Sequence, residues 1–408
     1  MSAQPRALEG IRVLEISALA GAVAGRVLAD LGAEVVKIEP EGGEPFRRAL
    51  PRVPTHDGEE SAAWLAFNHG KRSVTLDLAR PEGRDGFARL SATADIVVCD
   101  WERLDLDTMD ALAGLARAAN PGLVWTEILP FGRGGPFERY AATDTTLQAL
   151  GGHLYLNGDV DRAPVRISLP VGLIQGGAEA ASAALMALWH RMRGGEGQRV
   201  DVSVQECIIW TLLNSTMAWQ ILGLNEMRGG AIRKERANRF FTRLVWETRD
   251  GYIFFGPVGG GGGAARLKSY EALLAWMAED GITDDILTRH DWNGDGQFFI
   301  PQADYDTVTA VIMRFIATKS TEALMERAVR ERILLAPISS VSGVFTNPQF
   351  RARGLFVPLH DPGRGLEVEL PGRWAHLSAT PLRRPAPAPR PGADSAALLE
   401  RLTERNTA

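Results

Sequence analysis

Apolar positions in the first half of the chain alternate between two rhythms. Short β-branched runs such as Ile11 to Ile16 read as strands, and small apolar residues at helical spacing, as from Gly21 to Leu31, read as a helix. The segment from Ala33 to Glu39 is a second strand, so strand, helix and strand form a βαβ unit and predict a parallel sheet. The pattern continues with a strand at Arg72 to Leu78, a helix at Pro81 to Ala92, a strand at Asp95 to Cys99, and a helix-to-strand step from Met109 to Trp125. A long alanine-rich helix follows from Pro170 to Trp189, whose small residues imply close packing against another backbone. A strand is predicted at Arg199 to Val204 and a further apolar helix at Glu206 to Leu222.

Arg228 to Arg243 is polar and basic and reads as a linker. A mixed region begins at Trp246 to Val258, with helices at Arg266 to Met277 and Tyr305 to Ala317. The proline-rich tail from Arg383 is expected to run extended over the surface, ending in a helix at Ser395 to Arg405. This gives a large α/β part over 1–222, a linker and small domain over 223–330, and a return linker with a C-terminal segment on the large domain over 331–408.

Composition narrows the class. The chain of 408 residues is 45% apolar with a formal charge of −5, so no basic face points to nucleic acid. The two cysteines, Cys99 and Cys207, form no CxxC and no cluster with histidine, which argues against a zinc site or disulfide framework and fits a reducing cytoplasm. No signal-peptide core and no run of 18 apolar residues is visible, so neither export nor a membrane span is expected.

Six segments occur in the order and spacing of a known family: Leu8 to Pro40 (LEGIRVLEI…LADLGAEVVKIEP), Phe67 to Leu78 (FNHGKRSVTLDL), Phe131 to Phe137 (FGRGGPF), Asp144 to Gly152 (DTTLQALGG), Ala187 to Glu206, containing RGGEGQRVDVSVQE, and Ala336 to Gly354 (APISSVSGVFTNPQFRARG). Together they resemble family III (CaiB/BaiF) CoA-transferases across nearly the whole chain. The resemblance implies a large doubly wound α/β domain with a smaller α+β domain, two such chains interlocking as a dimer. It also implies a coenzyme A thioester as substrate, with no covalently bound cofactor and no metal. In that chemistry an enzyme aspartate attacks the acyl-CoA, forms a mixed anhydride and releases CoA thiolate, which then returns to make an enzyme thioester.

The family's aspartate precedes the alanine-rich helix and falls on Leu173, a side chain that cannot ionise. Glu179 lies about one and a half turns further on, and Asp159 and Asp161 sit in a turn upstream. Two further departures, Gly21-Ala22 for a Gly-Pro and Asp100 to Leu106 (DWERLDL) for an N-F-R-P-G-like stretch that helps hold CoA, imply a site that has lost polar and rigid groups. They leave open whether this chain itself binds CoA. The resemblance thus implies the aspartate-lacking subunit of a hetero-oligomer, inactive alone, whose partner is a homologous aspartate-bearing chain. The reaction would pass CoA from a donor such as succinyl-CoA to an acid such as (R)-benzylsuccinate, as in anaerobic toluene degradation. A self-sufficient racemase- or lyase-like member and a non-enzymatic acyl-CoA-binding scaffold are the alternatives.

Lys71 and Arg72 match the family's K-R-S and are candidates for CoA phosphates, as are Arg47 and Arg48; each could equally be ordinary surface. Gly259, Gly260, Gly261, Gly262 and Gly263 resemble a glycine loop over the active site, or form a plain turn. Asp144 and Gln148 match a family pattern, though a helix cap would also explain Asp144. His69 and His190 read as structural or surface residues.

Overall fold

The computed structural model describes residues 4–235, 240–257, 263–292 and 300–405. The chain divides into two compact units: 1–154, 166–213 and 348–408 in the first, 155–165 and 214–347 in the second. The unit boundaries therefore fall near 213 and 347, where the sequence reading places them near 222 and 330.

The first unit is built on strands β1 (Arg12–Ile16), β2 (Glu34–Glu39), β3 (Arg72–Thr75), β4 (Ile96–Asp100), β5 (Val124–Leu129) and β6 (Arg199–Ser203). All five strand pairings are parallel, and the order is β3-β2-β1-β4-β5-β6. This is the doubly wound order, with its reversal point between β1 and β4. Alternate residues of each strand face opposite layers. Val13, Val35, Ile96, Val98, Val124 and Ile128 pack with helices α1 (Leu19–Asp30) and α2 (Val171–Met192) on one side. Leu14, Val36, Val97 and Trp125 pack on the other with Phe87 and Leu112 from the crossover helices at Pro81–Ser91 and Leu106–Ala119.

The predicted close approach of the alanine-rich helix is present. Gly176, Gly177, Ala180, Ala181, Ala184 and Ala187 are buried along α2. A Cβ on Gly177 would sit 2.3 Å from the Ala20 carbonyl oxygen of α1, so only glycine permits this crossing. α2 is also the one described helix long and apolar enough to cross a membrane; half of its apolar window is buried inside the protein, as a core helix requires.

Three expectations needed correction. The apolar stretch from Glu206 to Leu222 is two helices, Val204–Trp210 and Leu213–Leu222, and the unit boundary falls at the break, which Thr211 caps through Oγ1 donating to the Ile208 carbonyl. The basic stretch read as a linker contains an antiparallel ladder of Ile232–Glu235 with Phe240–Arg243. The proline-rich tail does not merely lie on the surface: Ala388 is buried, and the carbonyls of Pro389 and Ala388 accept from Arg47 and Arg364.

The second unit holds a three-stranded antiparallel sheet (Val245–Glu247, Tyr252–Phe255, Leu335–Pro337). Its core is aromatic, with Trp246, Tyr270, Trp276, Trp292, Tyr305 and Phe315 among the helices Gly263–Glu279, Gln302–Ala317 and Thr321–Glu331.

Candidate active site at the carboxyl ends of the central strands

Open α/β sheets bind ligands outside the carboxyl ends of the strands at the reversal point. Here that crevice is bounded by the β1–α1 turn, the end of β4 and the start of α2. α1 has no side-chain cap of its own. Asp100, the last residue of β4 and fully buried, supplies one: Ala18 N–H donates to its two oxygens at 3.1 and 2.9 Å and Gly21 N–H to Oδ2 at 3.1 Å. Burial first, and then the neighbouring Glu102, lifts its pKa to about 7 against the pull of those two N–H groups and Lys37. Glu102 accepts from the Leu19 backbone; although the residue is exposed, desolvation of its carboxyl first and then Glu44 and Asp144 raise its pKa. The DWERLDL segment thus brings acids to the crevice.

Beneath this layer lies a buried ion network. Glu15 Oε1 and Oε2 each accept at 2.7 Å, from Lys37 Nζ and Lys71 Nζ, and all three side chains are inaccessible. Lys71 Nζ also donates to the Ala22 carbonyl and to Asn68 Oδ1, both at 2.9 Å. Glu44, wholly buried, has neither oxygen hydrogen-bonded; Lys37 Nζ and Arg103 Nε stand 3.4 and 3.5 Å away. Burial, which outweighs the pull of Lys37, lifts its pKa to about 7.

Glu44 therefore binds its proton in the fold at pH values where the unfolded chain has lost it. Stability from this group is present below its ordinary range and is lost as pH rises through 7, with a slope of at most about 1.4 kcal/mol per pH unit. His69, pushed down to about 3 by burial and then by Arg26 and Lys71, acts in the opposite sense near pH 6, so the group must be isolated by mutation. Relative to Glu44→Gln, the wild type is expected to lose stability between pH 5 and 7 in denaturant unfolding; a difference independent of pH refutes this.

Leu173 lies in the first turn of α2, 6% exposed. Its N–H donates to Oδ1 of Asp144 at 3.1 Å, and a Cβ at Gly172 would stand 3.0 Å from that oxygen. Asp144 opens the helix Asp144–Leu150, but Thr143 is that helix's cap, through a reciprocal pair with Thr146. Asp144 is thus released from the capping role and faces Leu173, while its Oδ2 accepts from Gln148. Beside them a cavity of about 130 Å³ is lined by Gln148, His153, Val171, Gln175 and Ile208. Glu179 accepts from Gln175 at 2.9 Å, a turn further along, and Asp159 and Asp161 belong to the second unit.

The basic candidates are placed differently from a phosphate-binding set. Arg47 is buried, forms a two-pronged bond with Glu39 at 2.7 and 2.6 Å, and stacks 3.9 Å above the Trp64 ring. Lys71 is the buried ligand of Glu15 described above. Arg72 joins Glu34 at 2.7 Å and Asp394 at 2.9 Å, fastening the C-terminal segment to β3. Arg48 is exposed. Gly259, Gly260, Gly261 and Gly262 lie outside the described residues, and Gly263 begins a helix. His69 is buried near Asp30 and His190 is exposed. Among the described residues no group of three or more potential ligands could hold a metal.

Sequence reasoning missed Glu15, Lys37, Glu44 and Asp144 as partners. A signal existed for the first two: strands buried on both faces read as unbroken apolar runs, so charges inside IRVLEI and EVVKIE require one another.

The doubly wound sheet, the glycine-dependent crossing of α1 and α2, and the carboxylates gathered at the reversal point define a doubly wound α/β protein with an acidic switch-point crevice. The profile of CoA-transferase family III matches residues 8–395, and the chain belongs to that family. It is 33% identical over 400 residues to a succinate–glutarate CoA-transferase of Agrobacterium fabrum, covering 97% of this chain and 95% of that one. It is 28% identical to the succinyl-CoA:(R)-benzylsuccinate CoA-transferase subunit BbsE of Thauera aromatica, over 88% of this chain and 86% of that subunit. The crystal structure of a CaiB/BaiF family protein from Brucella suis superposes with a TM-score of 0.82 at 27% identity, over 98% of this chain and all of that one.

Proposed function

We propose that this chain is the subunit without the nucleophile in a cytoplasmic CoA-transferase that moves CoA from an acyl-CoA such as succinyl-CoA to a dicarboxylic acid. (R)-Benzylsuccinate and glutarate, acids in the names of two relatives, mark the class of acid proposed as acceptor. The observation that supports the reading is Leu173, a side chain that cannot ionise, buried at the start of α2, the position at which the sequence resemblance expects an aspartate. In the full assembly a homologous chain provides the carboxylate that attacks the thioester carbonyl; the C–S bond breaks, the anhydride forms and thiolate leaves. Exposed apolar side chains support a partner: Met186, Trp189 and Met192 on α2 are 66, 61 and 64% exposed. Arg48 and the glycines at 259–263 are retained as the contacts this chain would offer to CoA and to the site.

A second reading is favoured by one contact. Asp144 already presents an oxygen 3.1 Å from the Leu173 amide, so a self-sufficient enzyme could use Asp144 as its acyl acceptor. The purified chain separates the two. Under the subunit reading it shows no CoA transfer from succinyl-CoA to glutarate or benzylsuccinate, and gains it when co-expressed with an aspartate-bearing homologue that co-purifies at one to one. Turnover by the single chain, abolished in Asp144→Asn, overturns the subunit reading in favour of Asp144.

A further inference from the structure

A basic concavity on the first unit lies at the opposite end of α1 from the candidate active site. A cavity of about 440 Å³ opens where the 372–385 segment passes the carboxyl end of α1. Arg6, Arg373, Arg384, Arg383 and His376 line it, and no carboxylate does. The volume is that of a small-molecule site, within the usual range of about 300–1,000 Å³. α1 spans 12 residues, or about 18 Å at 1.5 Å per residue, which separates this end from the one capped by Asp100.

Two of the arginines have local structural duties. Arg6 Nη1 donates to the carbonyls of Pro381 and Leu382, the latter at 2.9 Å, and Arg383 Nη2 donates to Gly32 O at 2.9 Å. These bonds fix the cavity wall, and the Trp374 indole adds a 3.1 Å bond to Asp30 Oδ2. Carbonyl partners leave the positive charges uncancelled. Asp30 is held by Arg26 at 2.8 Å and does not line the cavity. Arg373 and Arg384 are exposed and have no such duty in the wall. Four guanidinium groups converging without an acid, on a chain whose formal charge is −5, form a local positive field that a ligand of several negative charges would neutralise. Guanidinium forks match the paired oxygens of phosphate.

We infer that this cavity is a binding site for a phosphate-bearing polyanion, of the size and charge of a nucleoside diphosphate, separate from the site of CoA transfer. The diphosphate group engages Arg373 and Arg384, with Arg6 and Arg383 holding the wall and adding charge. The same chemistry is carried by a free nucleotide and by the phosphoadenosine end of CoA.

Isothermal titration of the purified full-length protein tests the inference with ADP, inorganic diphosphate, coenzyme A and citrate as probes. ADP and diphosphate are expected to bind, and to weaken roughly a hundredfold in the Arg373→Ala/Arg384→Ala variant, at about tenfold for each lost charged contact. An exposed control, Arg80→Ala, leaves binding unchanged. Displacement of ADP by coenzyme A identifies CoA as a natural source of the phosphates, and CoA binding without displacement identifies a free nucleotide; both support the site. Absence of ADP and diphosphate binding to the wild type, undiminished binding to the double variant, or citrate binding as tight as diphosphate overturns the inference. Both substituted side chains are exposed, and circular dichroism with an unchanged melting temperature confirms that the variant is folded.

Discussion

Glu15→Ala is expected to remove about 3–5 kcal/mol of folding stability, the cost of stripping one partner from a buried ion cluster. Glu15 is the one carboxylate bonded at 2.7 Å to both Lys37 and Lys71, and none of the three side chains reaches water. Its pKa is lowered because the two lysines outweigh the burial that would raise it. Lys71 is held at about 8, pushed down by burial and then by Lys37 and Arg26, and kept charged at neutral pH largely by Glu15. Without that carboxylate Lys71 gives up its proton to reduce the penalty, but its Nζ must still satisfy Ala22 O and Asn68 in a space shaped for an ion pair. Lys37 keeps Glu44 at 3.4 Å, a weaker contact than the one lost. Since domains carry only about 5–15 kcal/mol in total, the loss is a large share of the margin. The urea midpoint should fall accordingly, and Glu15→Ala/Lys71→Met should recover part of it by removing the stranded cation. A midpoint shift equivalent to less than about 1 kcal/mol would show that the network is net neutral in the fold.

The same network explains what the sequence could and could not disclose. Parallel strands were legible because β-branched runs recurred with helical spacing between them, and the terminal helix Ser395–Arg405 was legible from its periodicity after a proline stretch. Small residues on α2 announced a close crossing but not its partner; that required the Ala20 carbonyl opposite Gly177. Arg47 and Lys71 look like surface cations in a linear chain, because nothing local shows that Glu39 and Glu15, on the neighbouring strands, point at them. In the fold their charge is matched by those buried carboxylates. The ladder at Ile232–Arg243 was hidden for a related reason, since its arginines and lysine mask a pairing that depends on backbone hydrogen bonds. Leu173 stood out in the sequence as a position of interest, whereas Asp144 beside it did not, since 29 residues separate the two. That contact exists only because the helix of Asp144 and the start of α2 meet.

Leu173→Asp puts a carboxylate at the position proposed above for the nucleophile, and is nevertheless expected to give a folded protein with little or no CoA transfer. The introduced carboxyl would enter a position 6% exposed, whose amide already donates to Asp144. A second carboxylate beside the first, with Glu102 electrostatically coupled to Asp144, raises the pKa of at least one member of the group. An anionic nucleophile is needed for attack on the thioester, so the acids suppress the form that reacts. Transfer also requires N–H donors about 3 Å from the developing oxyanion, and the Leu173 amide is spent on Asp144. Intact-mass measurement after incubation with succinyl-CoA should find no acyl or CoA adduct on Leu173→Asp. Leu173→Asp/Asp144→Asn removes the competing charge and frees the amide from a carboxylate, so an adduct is expected to appear there first, and more readily as pH rises. A stable adduct on the single variant at neutral pH would show that the pocket lacked only its nucleophile, and that Asp144 does not hold the site in a non-reactive state.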